Sequence, residues 1–121
     1  MSNKNGRRRL SADAMVFRLK ADFLKALAHP ARLAVIEYLK DGEASVGQMV
    51  RDLGLEQSGL SKHLGHLRQA GIVSARPDKA NVYYSIKDGD VFRLLRPIAE
   101  ILRKRLQESE RLLQGLGRSS R

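Results

Sequence analysis

The sequence predicts a mainly α-helical domain with a small β-hairpin, in the order α-α-α-α-β-β-α. Apolar residues recur at helical spacing in five segments, most of which are separated by proline or glycine. Two short runs rich in β-branched and aromatic residues lie between the fourth and fifth of these segments. The chain has 121 residues, of which 42% are hydrophobic, and this allows one domain with a modest core.

The two ends of the chain fall outside the helical pattern. Residues 1–10 are predicted to be a disordered basic arm, residues 11–114 the folded domain, and residues 115–121 a disordered tail. No apolar run approaches the roughly 18 residues of a membrane span, and no apolar segment follows the basic start as in a signal peptide. We therefore expect a cytoplasmic protein with no membrane partner.

Two helices are predicted in the first third of the chain. The first should run from Ser11, its N-cap, to Ala28. Pro30 ends this helix, because proline disfavours helical geometry in the residue before it, and Pro30 then suits the first turn of the second helix, which runs to about Lys40. The residues predicted to face inward on the second helix are Leu33, Ile36 and either Tyr38 or Leu39.

The third and fourth helices are separated by a very short turn. Ser45 should cap the third helix over 46–53, and Gly54 should end it. The fourth helix lies between Glu56 and Gly71, where glycine permits the left-handed conformation of a helix end. Its inward stripe, at i, i+4, i+7 spacing, is Leu60, Leu64 and Leu67. Two helices joined by so short a turn, the second with a polar outer face, are typical of a helix-turn-helix motif.

A β-hairpin and a long helix complete the predicted domain. The strands should cover 73–76 and 81–86, with a basic turn over 77–80, so that the whole is a winged helix-turn-helix. Asp88 and Asp90 are predicted to cap the start of a last helix that runs to about Gln114. Pro97 lies inside this helix, and the sequence leaves open whether it kinks the helix or begins the main body of the helix after a short turn.

The first and last helices carry more apolar surface than a small core can cover. A dimer built from these two helices is the natural place to bury that surface. The predicted dimerisation residues are Met15, Leu19, Phe23, Val91, Leu95, Ile98 and Leu102.

The charge of the chain favours an acidic polymer as its partner. Lys and Arg total 23 against 13 Asp and Glu, a formal net charge of +10, which points to nucleic acid first and an anionic membrane second. The fourth helix has the size and the polar face to enter the major groove of double-stranded DNA. Its candidate DNA contacts are Gln57, Ser58, Ser61, Lys62, His63 and His66. The candidate contacts of the hairpin, or wing, are Arg76, Lys79 and Asn81.

The composition argues against an enzyme and against a metal centre. There is no cysteine, which excludes disulfides and thiolate ligands, and no nucleophile–base pair or phosphate-binding glycine loop stands out. His63 and His66 have the i, i+3 spacing of a chelating pair, but DNA contact or a half-buried structural role is preferred for them. His29 is expected to pack structurally, because no second histidine is near it in the sequence. We therefore expect no enzyme activity and no cofactor.

Four segments of the chain resemble the ArsR/SmtB family of bacterial winged-helix repressors. Residues 23–33 resemble its opening signature, 45–49 its third helix, 57–73 its recognition helix and 82–84 its wing, so the resemblance covers roughly 17–106. It implies a homodimeric transcription regulator, usually a repressor, that binds an inverted-repeat operator and leaves it when an effector binds. At the positions that resemble the third-helix cysteines of metal-sensing members, this chain has Ser45 and Gly47. A second metal site of the family uses histidines on the last helix, and this helix has none, so the resemblance does not identify the effector.

Two other functions remain open at the level of sequence. One is a nucleoid-type protein that coats DNA through charge with little sequence preference. The other is a protein-interaction module that keeps this fold without binding DNA.

Overall fold

The computed structural model describes residues 13–119 and confirms the predicted order of elements. The helices are α1 (Ala14–Leu27), α2 (Pro30–Leu39), α3 (Val46–Leu53), α4 (Gln57–Gln69) and α5 (Asp90–Ser119). The strands are β1 (Ala44–Ser45), β2 (Val73–Asp78) and β3 (Asn81–Ile86). The predicted basic arm and the predicted Ser11 cap lie outside the described residues. The chain divides into two compact units, one up to Lys87 and one from Asp88 onward.

The core of the first unit is built on α4. Leu60, Leu64 and Leu67 are each 0% exposed, as their helical spacing predicted. Because all three lie on one side of α4, the opposite side of the helix faces away from the core. Val35, Ile36 and Met49 are also 0% exposed and bring α2 and α3 into the same core.

The inward face of α2 differs from the prediction at one position. Leu33 is 40% exposed, whereas Ile36 and Leu39 are buried as expected and Val35 is buried with them. Tyr38 is half-buried, and its hydroxyl donates a hydrogen bond to Asp52 Oδ2 at 2.6 Å. This hydrogen bond is the main reason why the pKa of Tyr38 is raised.

Hydrogen-bonding caps and glycines set the ends of α3 and α4. Ser45 Oγ accepts a hydrogen bond from the N–H of Gln48 at 3.1 Å, and the Gln48 side chain accepts one from the N–H of Ser45 at 2.8 Å. Such a reciprocal box satisfies two N–H groups that a helix start leaves unpaired. Gly54 (φ 66°) and Gly71 (φ 77°) adopt left-handed conformations, which confirms both predicted helix ends.

The sheet has three strands in the order β1-β3-β2, all antiparallel. β1 was not predicted; it pairs Ala44 with Tyr84 and Ser45 with Tyr83. β2 continues two residues further than predicted, so that Asp78 pairs with Asn81 and the predicted four-residue turn contracts to two residues. So short a connection requires positive φ, and Lys79 adopts φ 58°.

The second unit consists of α5 and the residues that start it. Asp88 Oδ1 accepts a hydrogen bond from the N–H of Asp90 at 2.9 Å, as expected of a helix cap. The helix continues through Pro97 and is 30 residues long, so Pro97 neither ends nor starts it. The predicted disordered tail is therefore wrong for residues 115–119, which are helical, and residues 120–121 lie outside the described part. None of the helices within residues 13–119 combines the length and apolar character needed to cross a bilayer.

The predicted dimerisation residues differ in their exposure. Met15, Leu19, Ile98 and Leu102 are 46–62% exposed, whereas Phe23 and Leu95 are half-buried. Val91 is only 6% exposed and offers little surface to a second copy. The apolar side chains of α5 that lie beside this predicted stripe are also exposed, namely Leu94, Ile101, Leu106, Leu112 and Leu113.

Candidate nucleic-acid interface

The N-terminal half of α4 presents a polar surface to solvent. Gln57, Ser58, Ser61 and Lys62 are all exposed, and the three buried leucines of the same helix fix the direction in which they point. Glu56 at the N-cap makes no side-chain hydrogen bond to the first turn. The free N–H groups of that turn, with the positive end of the helix dipole, suit a phosphate oxygen. This surface therefore combines side chains of the types that can pair with base edges and N–H groups of the type that can bind a phosphate.

His63 differs from the other five predicted contacts of α4. It is half-buried, and its Nδ1 accepts a hydrogen bond from Arg32 Nε at 3.1 Å. Its ring lies 4.3 Å from the ring of His29, centroid to centroid. His29 in turn caps α2, because its Nδ1 accepts a hydrogen bond from the N–H of Ala31 at 3.0 Å. His63 thus has the half-buried structural role that the sequence left open, and it is less available to DNA than its neighbours.

Sequence reasoning missed both Arg32 and the pairing of the two histidines. Arg32 lies 31 residues before His63, and no local pattern connects them. Both rings use Nδ1 as an acceptor, which places the proton on Nε2 and leaves no lone pair for a metal ion in that state. Across residues 13–119, no group of three or more His, Cys, Asp or Glu side chains is arranged to hold a metal.

The environment of His63 makes stability depend on pH. Burial lowers its pKa below the usual 6.5, and the nearby side chains of His29, Arg32, His66 and Lys62 lower it further. The unfolded chain then binds more protons than the folded chain, so the stabilisation is present above pH 6.5 and is lost as the pH falls through the lowered pKa. We expect urea unfolding of the wild type, at one fixed chain concentration, to show lower stability at pH 5.5 than at pH 7.5.

The matched variants are His63→Asn and His66→Asn. Asparagine at 63 can still accept from Arg32 but does not titrate, so this variant should lose less stability than the wild type between the two pH values. His66→Asn removes an exposed histidine of the same helix and should retain most of the wild-type pH dependence. Equal pH dependence of His63→Asn and the wild type would contradict this role of His63.

The three predicted wing residues also have different surroundings. Arg76 Nη2 lies 2.6 Å from Glu43 Oε1 and Arg76 Nη1 lies 3.7 Å from Asp78 Oδ2, while its guanidinium covers the ring of Tyr83. The hydrogen bond between Arg76 and Glu43 is the largest cause of the raised pKa of Arg76 and of the lowered pKa of Glu43. Arg76 therefore has carboxylate partners within the chain.

Lys79 and Asn81 are better placed for a partner molecule. Both are exposed, Lys79 in the two-residue turn and Asn81 at the start of β3. No salt bridge engages Lys79 in the described part of the chain, so its ammonium group is available to a phosphate. The structure thus divides the predicted wing contacts into an anchored arginine and two accessible side chains.

Comparison with known proteins agrees with this geometry. Residues 27–75 match a family model described as a helix-turn-helix domain. The chain is 42% identical to the HTH-type transcriptional regulator Rv0081 of Mycobacterium tuberculosis, over 84% of this chain and 90% of that protein. It is 41% identical to the biofilm growth-associated repressor of Agrobacterium fabrum, over 67% of this chain and 69% of that protein.

Solved structures show the same fold. The crystal structure of Rv0081 superposes with a TM-score of 0.69 at 43% identity and covers 78% of this chain and 95% of that chain. Mb0332 of Mycobacterium bovis, a homodimeric winged helix-turn-helix DNA-binding domain described as a possible ArsR-family regulator, gives 0.70 at 28% identity, over 85% and 94%. The present chain therefore belongs to the winged helix-turn-helix transcriptional regulators, and its similarity to Mb0332 agrees with the ArsR/SmtB resemblance in its sequence.

Proposed function

We propose that the protein is a homodimeric transcriptional repressor that binds an inverted-repeat operator in the major groove. The observation that carries this proposal is the exposed polar surface of Gln57, Ser58, Ser61 and Lys62 on a helix whose other side is fully buried. A helix held in this way presents its N-terminal residues to base edges. This function needs no catalytic step and no resident metal, and it places the protein in the cytoplasm with the DNA.

A second copy of the chain is supported by the apolar surface of α1 and α5. Met15, Leu19, Ile98 and Leu102 expose large apolar side chains that a monomer would leave in water. A two-fold dimer that reads DNA with both copies of α4 needs them about 34 Å apart, one turn of DNA, so we expect inverted half-sites at that spacing.

Selection from a pool of random duplexes at about 0.15 M salt, followed by sequencing, tests the proposal. We expect an inverted repeat bound about 10³-fold or more tightly than the unselected pool. Recovery of the starting pool alone would favour the nucleoid-type alternative, which the net charge of +10 also supports. Absence of any DNA binding at low salt would leave only an interaction module.

The variant Lys79→Ala tests whether Lys79 contacts the DNA phosphate backbone or recognises bases. Loss of a phosphate contact should weaken binding to the selected operator and to random duplex by a similar factor. The slope of log affinity against log salt concentration should fall by about one for each lysine removed. Alanine retains the backbone constraint at φ 58°, so the variant tests the charge rather than the turn.

Lys104→Ala is the matched control for this measurement, because it removes the same charge from an exposed position of α5. It should leave both affinities and the salt slope nearly unchanged. A change confined to the operator, with random duplex unaffected, would show that Lys79 reads sequence instead.

A further inference from the structure

The base of the wing contains an arginine that faces two carboxylates. Arg76 Nη2 donates to Glu43 Oε1 at 2.6 Å, and Arg76 Nε donates to Glu43 Oε2 at 3.3 Å. One guanidinium thus engages both oxygens of one carboxylate, the bidentate geometry in which arginine pairs most strongly. Arg76 Nη1 also lies 3.7 Å from Asp78 Oδ2. The three side chains together carry one positive and two negative charges, so this part of the wing has no excess of positive charge.

The sheet places the arginine and its main partner on one face. Tyr83 of β3 is the register partner of both Ser45 in β1 and Arg76 in β2. Side chains of directly paired residues project from the same face of a sheet, and residues two apart along a strand share that face. Glu43 lies two residues before Ser45, which brings its carboxylate to the face that carries Arg76. The guanidinium covers the Tyr83 ring, with Cζ 4.9 Å from the ring centroid, and this contact holds it in place.

Stability alone gives little reason for this pair. The side chains of Arg76 and Glu43 are 54% and 42% exposed. Water and salt screen a pair that is so exposed, and such pairs contribute little to the free energy of unfolding. The larger effect of Glu43 is therefore on the charge that the wing presents to a partner.

The two cations of the wing differ in this respect. No salt bridge engages Lys79 within residues 13–119, so a phosphate can pair with its ammonium group directly. At Arg76 a phosphate must displace the carboxylate of Glu43 and approach Asp78 as well. Only one of the two cations is thus free to add to the sequence-independent attraction that a net charge of +10 gives the chain.

We propose that Glu43 is a specificity-determining residue, which limits the attraction of the wing for DNA of any sequence by keeping Arg76 from the phosphates. Random duplex is held by charge in no fixed register, so a released cation strengthens those complexes fully. On an operator the base contacts of α4 fix the register, and a released Arg76 gains a contact only if a phosphate lies within its reach. This inference rests on the proposed function only in taking the wing to approach DNA.

The variant Glu43→Gln tests the inference. The amide oxygen of glutamine still accepts a hydrogen bond from Arg76 but carries no charge, so the variant retains the geometry of the wing. Affinity for random duplex at about 0.15 M salt should rise about fivefold or more, and the slope of log affinity against log salt concentration should steepen by about one for each chain. Affinity for the selected operator should rise by a smaller factor. A purely structural role of the pair predicts unchanged or weaker binding instead.

Glu110→Gln is the matched control, because it removes the same charge from an exposed position of α5. It should leave the random-duplex affinity and the salt slope nearly unchanged. Arg76→Gln should also bind random duplex much as the wild type does, since the charge of Arg76 is already neutralised in the wild type. Glu43→Gln combined with Arg76→Gln should lose the gain in affinity, because the carboxylate acts through Arg76.

Four outcomes would overturn the proposal: equal effects of Glu43→Gln and Glu110→Gln, a gain in affinity that persists without Arg76, an unchanged salt slope, or an equal rise for operator and random duplex. A gain on random duplex with no selected operator would refute the proposed repressor function and leave the restraint of Arg76 by Glu43 standing. A selected operator with no gain on random duplex would refute the role of Glu43 alone. Absence of DNA binding by both the wild type and Glu43→Gln at low salt would refute both.

Discussion

Replacing Gln57 and Ser61 together by alanine is expected to lower affinity for the selected operator by about 10²-fold or more, with affinity for random duplex nearly unchanged. Both side chains are exposed on the face of α4 opposite the buried leucines. A good contact to a base edge contributes about 1–3 kcal/mol of discrimination, and a homodimer loses each contact twice. Competition binding of the operator against random duplex at one salt concentration measures the effect.

Gln107→Ala with Ser109→Ala is the matched control, because these residues have the same side chains and lie exposed on α5. This pair should retain the wild-type preference for the operator. If the α4 variant also retained full preference, the assignment of α4 as the base-reading surface would be wrong.

Leu64→Ala is expected to reduce the free energy of unfolding by about 2–5 kcal/mol. Leu64 is 0% exposed, so its truncation leaves a cavity beneath α4 and also removes the free energy gained by burying the side chain. Because a small domain is stable by only about 5–15 kcal/mol, this single change removes a large fraction of its stability. Urea unfolding at one fixed chain concentration gives the value.

Leu33→Ala is the comparison for the core variant. Leu33 is 40% exposed and should lose less than half as much stability as Leu64. Similar losses of unfolding free energy at the two positions would contradict the structure, in which the Leu64 side chain is fully buried and the Leu33 side chain is exposed.

The difference between these two leucines shows what the sequence could predict. The leucines of α4 recur at i, i+4, i+7 with mainly polar residues between them, so the helix has a single apolar side and that side is buried. In α2 apolar residues surround the helix, and the pattern did not distinguish Leu33, which is exposed, from Val35, which is buried. The direction of an element can be predicted when its sequence has one apolar side.

Other features depend on residues far apart in the chain. β1 has only two residues, and it forms because Ala44 and Ser45 meet Tyr84 and Tyr83 across the sheet. The hydrogen bond of Arg32 to His63 likewise joins two helices. Polar side chains such as Gln57 could be assigned to an exposed face from spacing alone, whereas the engagement of Arg76 by Glu43 required the folded chain.

The left-handed conformation of Lys79 has a thermodynamic consequence for the wing. A residue with a Cβ at φ 58° costs about 1–2 kcal/mol relative to right-handed backbone, and glycine would avoid most of that cost. The turn therefore carries a conformational penalty in the free protein, and the residue that causes it places an exposed ammonium side chain in the turn. A contact between this ammonium group and a DNA phosphate, as proposed above, would offset the penalty, and the sequence of the wing would then suit the DNA complex better than the isolated domain.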